Sequence, residues 1–226
     1  GTGTLAKLLR NECDVLSSPI SSQIPVIQEN DNLELTATPA NNVSFIAINT
    51  ETTALSDARV RQALNLAINR QNILDSVYYG TGSQAYTLLP PNSWAYQKDS
   101  VKIRYDRNYA LALLRDASYE DGLELTMWVP LEPRAFNPSP RKTAELIQAN
   151  FADIGVELTL LTDDRFERVD LENINDIDLL LTGWIGDTGD PDNFFRPLLS
   201  CESDRVGLNV SMWCNDDFDF LLDLAL

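Results

Sequence analysis

The chain has 226 residues, 44% of them hydrophobic, with 17 Lys and Arg against 34 Asp and Glu for a net charge of −17. That length and apolar fraction support a real core in one large domain or two small ones, while the acidic excess repels the phosphate backbone that dominates nucleic-acid affinity and makes anionic lipid an equally poor partner. Histidine is absent, which removes Ser-His-Asp and Cys-His machinery and every His-dependent metal site from the residues given.

No apolar run approaches the length of a bilayer span. No cationic leader precedes an apolar stretch at Gly1, so the chain reads as mature, trimmed or both. The first elements are a short helix over 4–10, an extended segment over 14–16 and a second helix over 21–28 around Pro25. Two strands follow, 33–38 and 43–48, joined by the turn-like Pro39-Ala40-Asn41-Asn42. From Ser56 the period lengthens. Val60, Leu64, Ala67 and Ile68 recur at helical spacing, and Ile73, Leu74 and Val77 continue after Asn69-Arg70-Gln71. Ser56 serves as N-cap and Gly80 as stop.

Residues 80–98 hold Gly, Ser, Thr, Asn, two adjacent prolines and Trp94, the composition of a long irregular loop. Then come a helix over 106–117, a strand over 123–129, a proline-bracketed loop over 130–140 and a helix over 141–154. A strand over 156–161, a short helix near Arg165 and a strand over 177–181 complete the series, with a last helix carrying Phe218, Leu221, Leu222 and Ala225 on one stripe. Strands and helices in alternation, with apolar runs in the strands, define an α/β layer.

The most informative stretch is 182–194. It sets Trp184, Asp187, Asp190 and Asp192 in a glycine-punctuated loop directly after the strand at 177–181. A loop at the end of a buried strand is where an α/β scaffold holds a ligand, and an aromatic face beside a carboxylate suits a cation. Asp187-Thr188-Gly189 spells the aspartic-protease tripeptide, but that chemistry needs two carboxylates sharing a proton and no second copy occurs. Oxygen ligation of a hard cation by the three aspartates lacks EF-hand spacing. Helix capping by Asp190 or Asp192 ahead of Phe194 and Phe195 is the structural role for those two. Arg134, between Pro133 and Ala135-Phe136-Asn137-Pro138, suits bidentate carboxylate recognition, with a solvated loop charge as the alternative. Cysteines stand at 13, 201 and 214. Cys201 and Cys214 flank a polar stretch that a short-range disulfide would close for about 3 kcal/mol, with free buried thiols left open.

Several segments together resemble the bacterial dipeptide/oligopeptide-binding family, the extracytoplasmic solute receptors of ABC importers. They are Leu8-Leu9-Arg10-Asn11-Glu12-Cys13-Asp14, the run from Val60 to Asn69, Tyr79-Gly80-Thr81-Gly82, Arg134-Ala135-Phe136-Asn137-Pro138, the run from Ala144 to Asn150, the 184–194 loop and Trp213-Cys214. Within the family, Asn137-Pro138-Ser139-Pro140, the run from Phe194 to Cys201 and Tyr78-Tyr79-Gly80-Thr81 are most similar to Sap-type receptors, linked to antimicrobial-peptide resistance.

The resemblance implies a fragment of a two-lobed periplasmic-binding-protein type II fold, mainly the second (C-terminal) lobe. Residues 1–43 would be the end portion of the first lobe and 44–226 most of the second, with the C-terminal return to the first lobe missing. It implies a periplasmic, monomeric, peptide-binding subunit that partners ABC permease subunits in the inner membrane without inserting there itself. No catalytic step, cofactor, metal or nucleic acid is expected. By resemblance, Asp187 accepts the α-ammonium of the ligand, Arg134 takes its carboxylate and Trp184 lines the wall. Cys201 pairs with Cys214, and Cys13 matches a cysteine whose partner lies upstream. Ser118 replaces a glycine usual after the helix at 106–117. An Asp-dependent hydrolase using Asp187 and Asp190 is the enzymatic alternative, and a receptor of this fold for haem is the alternative cargo.

Overall fold

In the computed structural model, residues 2–97, 103–162, 177–203 and 209–225 are described. The chain opens with α1 (Thr2–Leu9), a 3-10 turn at Ser21–Gln23 and α2 (Ile24–Gln28). The expected strand over 33–38 does not form. Leu33 and Leu35 are half-buried while Glu34 and Thr36 face solvent, the alternation of an extended chain, but no neighbouring strand among the described residues offers it a ladder.

From residue 42 onward strands and helices alternate: β1 (Asn42–Ile48), α3 (Ala58–Ala67), α4 (Arg70–Ile73), α5 (Arg107–Asp116), β2 (Leu123–Trp128), α6 (Pro140–Ala152), β3 (Val156–Leu161) and β4 (Leu179–Ile185). α7 (Asp192–Leu199) and α8 (Asp216–Leu224) follow. The short helix expected near Arg165 lies outside the described residues. The sheet order is β1-β4-β2-β3, with β2 parallel to both β3 and β4, and β1 antiparallel to β4. α6 makes the crossover that a parallel β2/β3 pair requires. Its Ala144, Ile147 and Phe151 join Leu64, Leu114, Met127 and Val156 in the main core.

Local signals mostly act where expected, with shifts of a residue. Asp57 rather than Ser56 caps α3, accepting from the Arg59 N–H at 2.8 Å, while the Ser56 hydroxyl donates to Thr53. The adjacent carboxylate reaches the orphan helix donors better than a hydroxyl already engaged in the preceding turn. Asn69 caps α4, which runs on into a π-helical turn at Leu74–Tyr78. Tyr79 closes that turn in the left-handed region at φ 50°, with Gly80 next at φ 80°. Ser118 also sits left-handed, at φ 66°, which is why a glycine is the easier residue after α5.

The largest correction concerns β4. The sequence reading ends the strand at Leu181 and assigns 182–185 to a loop, yet the ladder with β1 continues to Ile185, opposite Asn42. Gly183 marks a close approach rather than a turn: a Cβ there would strike the Phe136 ring and the Val43 carbonyl.

Candidate ligand-binding site

Because β2 and β4 are parallel and β1 runs against them, the C-terminal ends of β2 and β4 and the start of β1 meet at one end of the sheet. β4 pairs with β2 only as far as Leu180 opposite Trp128, then runs five residues further beside β1. Both polar candidates lie at this end, Arg134 in the segment leaving β2 and Asp187 in the loop leaving β4. Crevices outside the carboxyl ends of parallel strands are where α/β sheets hold ligands.

The loop carrying Asp187 is held by two asparagines. Asn41, just ahead of β1, accepts the Gly186 N–H on its carbonyl at 2.8 Å, and its side-chain amide donates to the Gly186 and Thr188 carbonyls, each at 3.0 Å. Asn193, on α7, accepts the Asp187 N–H at 2.9 Å. Gly186 must lack a side chain here, since a Cβ would collide with the Asn41 amide and the Phe194 ring. The Asp187 carboxylate is exposed and meets no cation or donor among the described residues. Asp190 and Asp192 are engaged locally. Asp190 accepts the Asp192 N–H at 2.9 Å in the turn ahead of α7, and Asp192, the first residue of α7, grips Arg196 one turn on at 3.0 Å. The N-cap is Pro191 with no side-chain cap bond, so neither aspartate takes the capping position expected of it. The three carboxylates are not gathered within the reach of one ion.

The segment carrying Arg134 is a tight turn closed by mutual backbone hydrogen bonds between Arg134 and Asn137, at 2.8 and 3.0 Å. Three contacts seat it on the overhanging part of β4 and its surroundings. Phe136 lies against Gly183, the Tyr78 hydroxyl donates to the Phe136 carbonyl at 2.8 Å, and the Asn42 amide donates to the Ala135 carbonyl at 3.4 Å. Burial pushes the Tyr78 phenol above its ordinary range, with a Ser44 hydrogen bond opposing the shift. Asn137 is 1% exposed and anchors the turn to α6, its side-chain Oδ1 accepting from the Ser139 N–H and the Thr143 hydroxyl. Arg134 itself is exposed.

Trp184 stands on β4 opposite Val43 rather than in a loop. Half-buried, it packs with Phe195 against Val43, Leu89 and Phe194, and its indole N–H is buried with no partner among the described residues. It lines a mainly apolar cleft of about 570 Å³ along β1, with Phe45, Ala47, Leu180, Leu198 and Trp213.

Cys201 and Cys214 form the expected disulfide, S–S 2.08 Å across 13 positions, between α7 and α8. Asp216 lies close to both sulfurs, but sulfurs bonded to each other are not thiolate ligands. Cys13 is a half-buried free thiol. Around the bridge, Asp219 accepts the Cys201 N–H at 3.0 Å, Arg196 reaches Asp223 at 3.0 Å, and Phe218 meets Phe195 and Trp213 edge-on.

Asn41, Asn42, Tyr78 and Asn193 are the residues sequence reasoning missed. An asparagine in a turn looks the same whether it bonds its neighbours or a loop 145 positions away. Gly183 and Gly186 were the available signal, because glycine in or beside a strand points to close backbone approach.

An exposed carboxylate on a braced loop and a guanidinium turn at the same sheet end, with an apolar cleft running along β1 from Trp184, make a candidate binding face. Residues 1–205 match the bacterial extracellular solute-binding proteins, family 5 Middle, and the chain belongs to that family. It is 44% identical to the peptide transport periplasmic protein SapA of Salmonella typhimurium, over 100% of this chain and 41% of that protein, in line with the Sap-type resemblance. It is 35% identical to heme-binding protein A of Haemophilus influenzae, over 100% of this chain and 41% of that one. A dipeptide binding protein from Pseudoalteromonas sp. SM9913, solved in complex with Met-Leu, superposes with a TM-score of 0.83 at 38% identity, covering 99% of this chain and 44% of that one. The chain thus spans about two fifths of the length of these proteins. Among the described residues no helix is long and apolar enough to cross a membrane.

Proposed function

We propose that this chain forms the end portion of the first lobe, residues 1–43, and most of the second, residues 44–226, of a periplasmic peptide-binding subunit of an ABC importer. Asp187 accepts the ligand's α-ammonium, the Arg134 guanidinium takes a carboxylate, and Trp184 walls the space beside them. The receptor then delivers its peptide to permease subunits in the inner membrane, without chemistry of its own and without a cofactor or metal. The observation carrying this reading is the placement of two opposite charges at one end of the sheet, on segments tied to adjacent residues, Asn41 and Asn42. A zwitterion is complementary to that pair, and charge-assisted hydrogen bonds at its two ends are the strong kind. The other lobe would cover the ligand by hinge closure and supply main-chain contacts to an extended peptide.

The hydrolase reading has less behind it, because Asp190 is committed to its own turn and no second Asp-Thr-Gly is available to share a proton. The test is native mass spectrometry of the full-length receptor, purified without refolding from its own cell envelope, with the bound ligand identified after denaturation. An intact co-purifying peptide is expected. Haem, a polyamine or cleaved fragments would overturn peptide capture as the function.

A further inference from the structure

We propose that Asn41 is the positioning residue of the ammonium subsite: it sets the aim of the Asp187 carboxylate without itself touching the ligand. This rests on the assignment of Asp187 above. Of the six backbone groups of residues 186–188, four are bonded by two asparagines, namely the Gly186 N–H and carbonyl, the Asp187 N–H and the Thr188 carbonyl. Asn41 satisfies three of them through its own carbonyl and amide, and Asn193 the fourth. Asn41 is therefore bonded on both sides of Asp187, at distances of 2.8 to 3.0 Å. Gly186 supplies the room, since any side chain there would evict the Asn41 amide.

An exposed aspartate in a loop between Gly186 and Gly189 would otherwise sample many orientations, and ordering it at the moment of binding would weaken capture. With the loop fixed beforehand, the carboxylate needs only side-chain rotation to meet an ammonium. The fixing atoms come from the segment immediately before β1, where the lobe boundary at 43 is proposed. The aim of Asp187 is thereby referenced to β1, at the proposed lobe boundary, rather than to the loop's own helix alone.

The experiment uses the full-length receptor and a degenerate mixture of di- and tripeptides, free or N-acetylated, with retained members quantified by native mass spectrometry. The readout is the ratio of free-amine to N-acetylated binding. A structural brace would not move this ratio selectively. Asn41→Ala is expected to lower free-amine binding about tenfold and leave N-acetylated binding unchanged, moving the ratio toward that of Asp187→Asn. Asn193→Ala tests the same clamp from α7 should Asn41→Ala fail to fold, and is expected to move the ratio the same way. Equal loss of both peptide classes, or an unmoved ratio in both asparagine variants while Asp187→Asn collapses it, overturns the positioning role. A native ratio unaffected by Asp187→Asn, or no free peptide retained at all, instead removes the ammonium assignment, and the proposal falls with it.

Discussion

Phe151 belongs to an apolar, nearly dry core drawn from α3, α4, α5, α6 and three strands. Around Asp187 the chain is exposed, and it is placed by hydrogen bonds from Asn41 and Asn193, each far away in sequence or in another element. The first region is stable because apolar area leaves water, a force without direction. The second buries little, so its order comes from directional bonds and from glycines that let segments touch. Stability and the geometry of the proposed site therefore reside in different residues, and substitutions should separate them.

The largest separation is expected from Phe151→Ala, at 1% exposure in the core. It should cost about 3–5 kcal/mol in denaturant unfolding while the molecules still folded keep their peptide affinity. Loss of affinity in the folded fraction would blur the division. Replacing Cys201 and Cys214 together by serine opens a loop of 13 positions and should cost about 3 kcal/mol, read as a lower melting temperature that matches the reduced native protein.

Gly183→Ala probes the seam between the regions. Phe136 or the Val43 carbonyl must yield to the new methyl group, at about 1–3 kcal/mol for overpacking. The Arg134 turn should loosen with it, so that binding of peptides with a free carboxylate falls relative to their C-terminal amides. The smallest effect belongs to the helix cap, remote from both. The Asp57 carboxylate is held below its ordinary value of 3.8 mainly by the Arg59 side-chain hydrogen bond, and next by the Arg59 backbone N–H. A lowered folded value means that the charged cap contributes stability above pH 3.8, which is lost as pH falls through the lowered value. Asp57→Asn should thus melt slightly lower than the native protein at neutral pH, with the gap closing in acid.

The same contrast explains what the sequence could and could not reveal. The 3.6-residue recurrence of Val60, Leu64 and Ala67 and the apolar runs at 123–129 and 156–161 report burial against a layer, and the elements stand within a few residues of those positions. β4 was read short because Thr182, Gly183 and Trp184 look like loop residues, when only the partner strand β1 could show that pairing continues. Leu33 to Thr38 has strand composition but no strand beside it among the described residues, and pairing is a property of two segments. In the proposed site, Asp187 and Arg134 were legible as residue types suited to a charged ligand and as matches to family motifs. The bracing bonds of Asn41 and Tyr78 were not, because a hydrogen bond to a distant carbonyl has no period and no local signature.

The most direct measurement is calorimetry of peptide binding to the full-length receptor with Asp187→Asn, a near-isosteric change that removes the charge and turns one acceptor oxygen into an amide donor. The account predicts a loss of about 3–5 kcal/mol, on the order of a hundredfold to a few thousandfold in affinity, for peptides with a free amino terminus. An unchanged affinity would contradict it and take Asp187 out of the site.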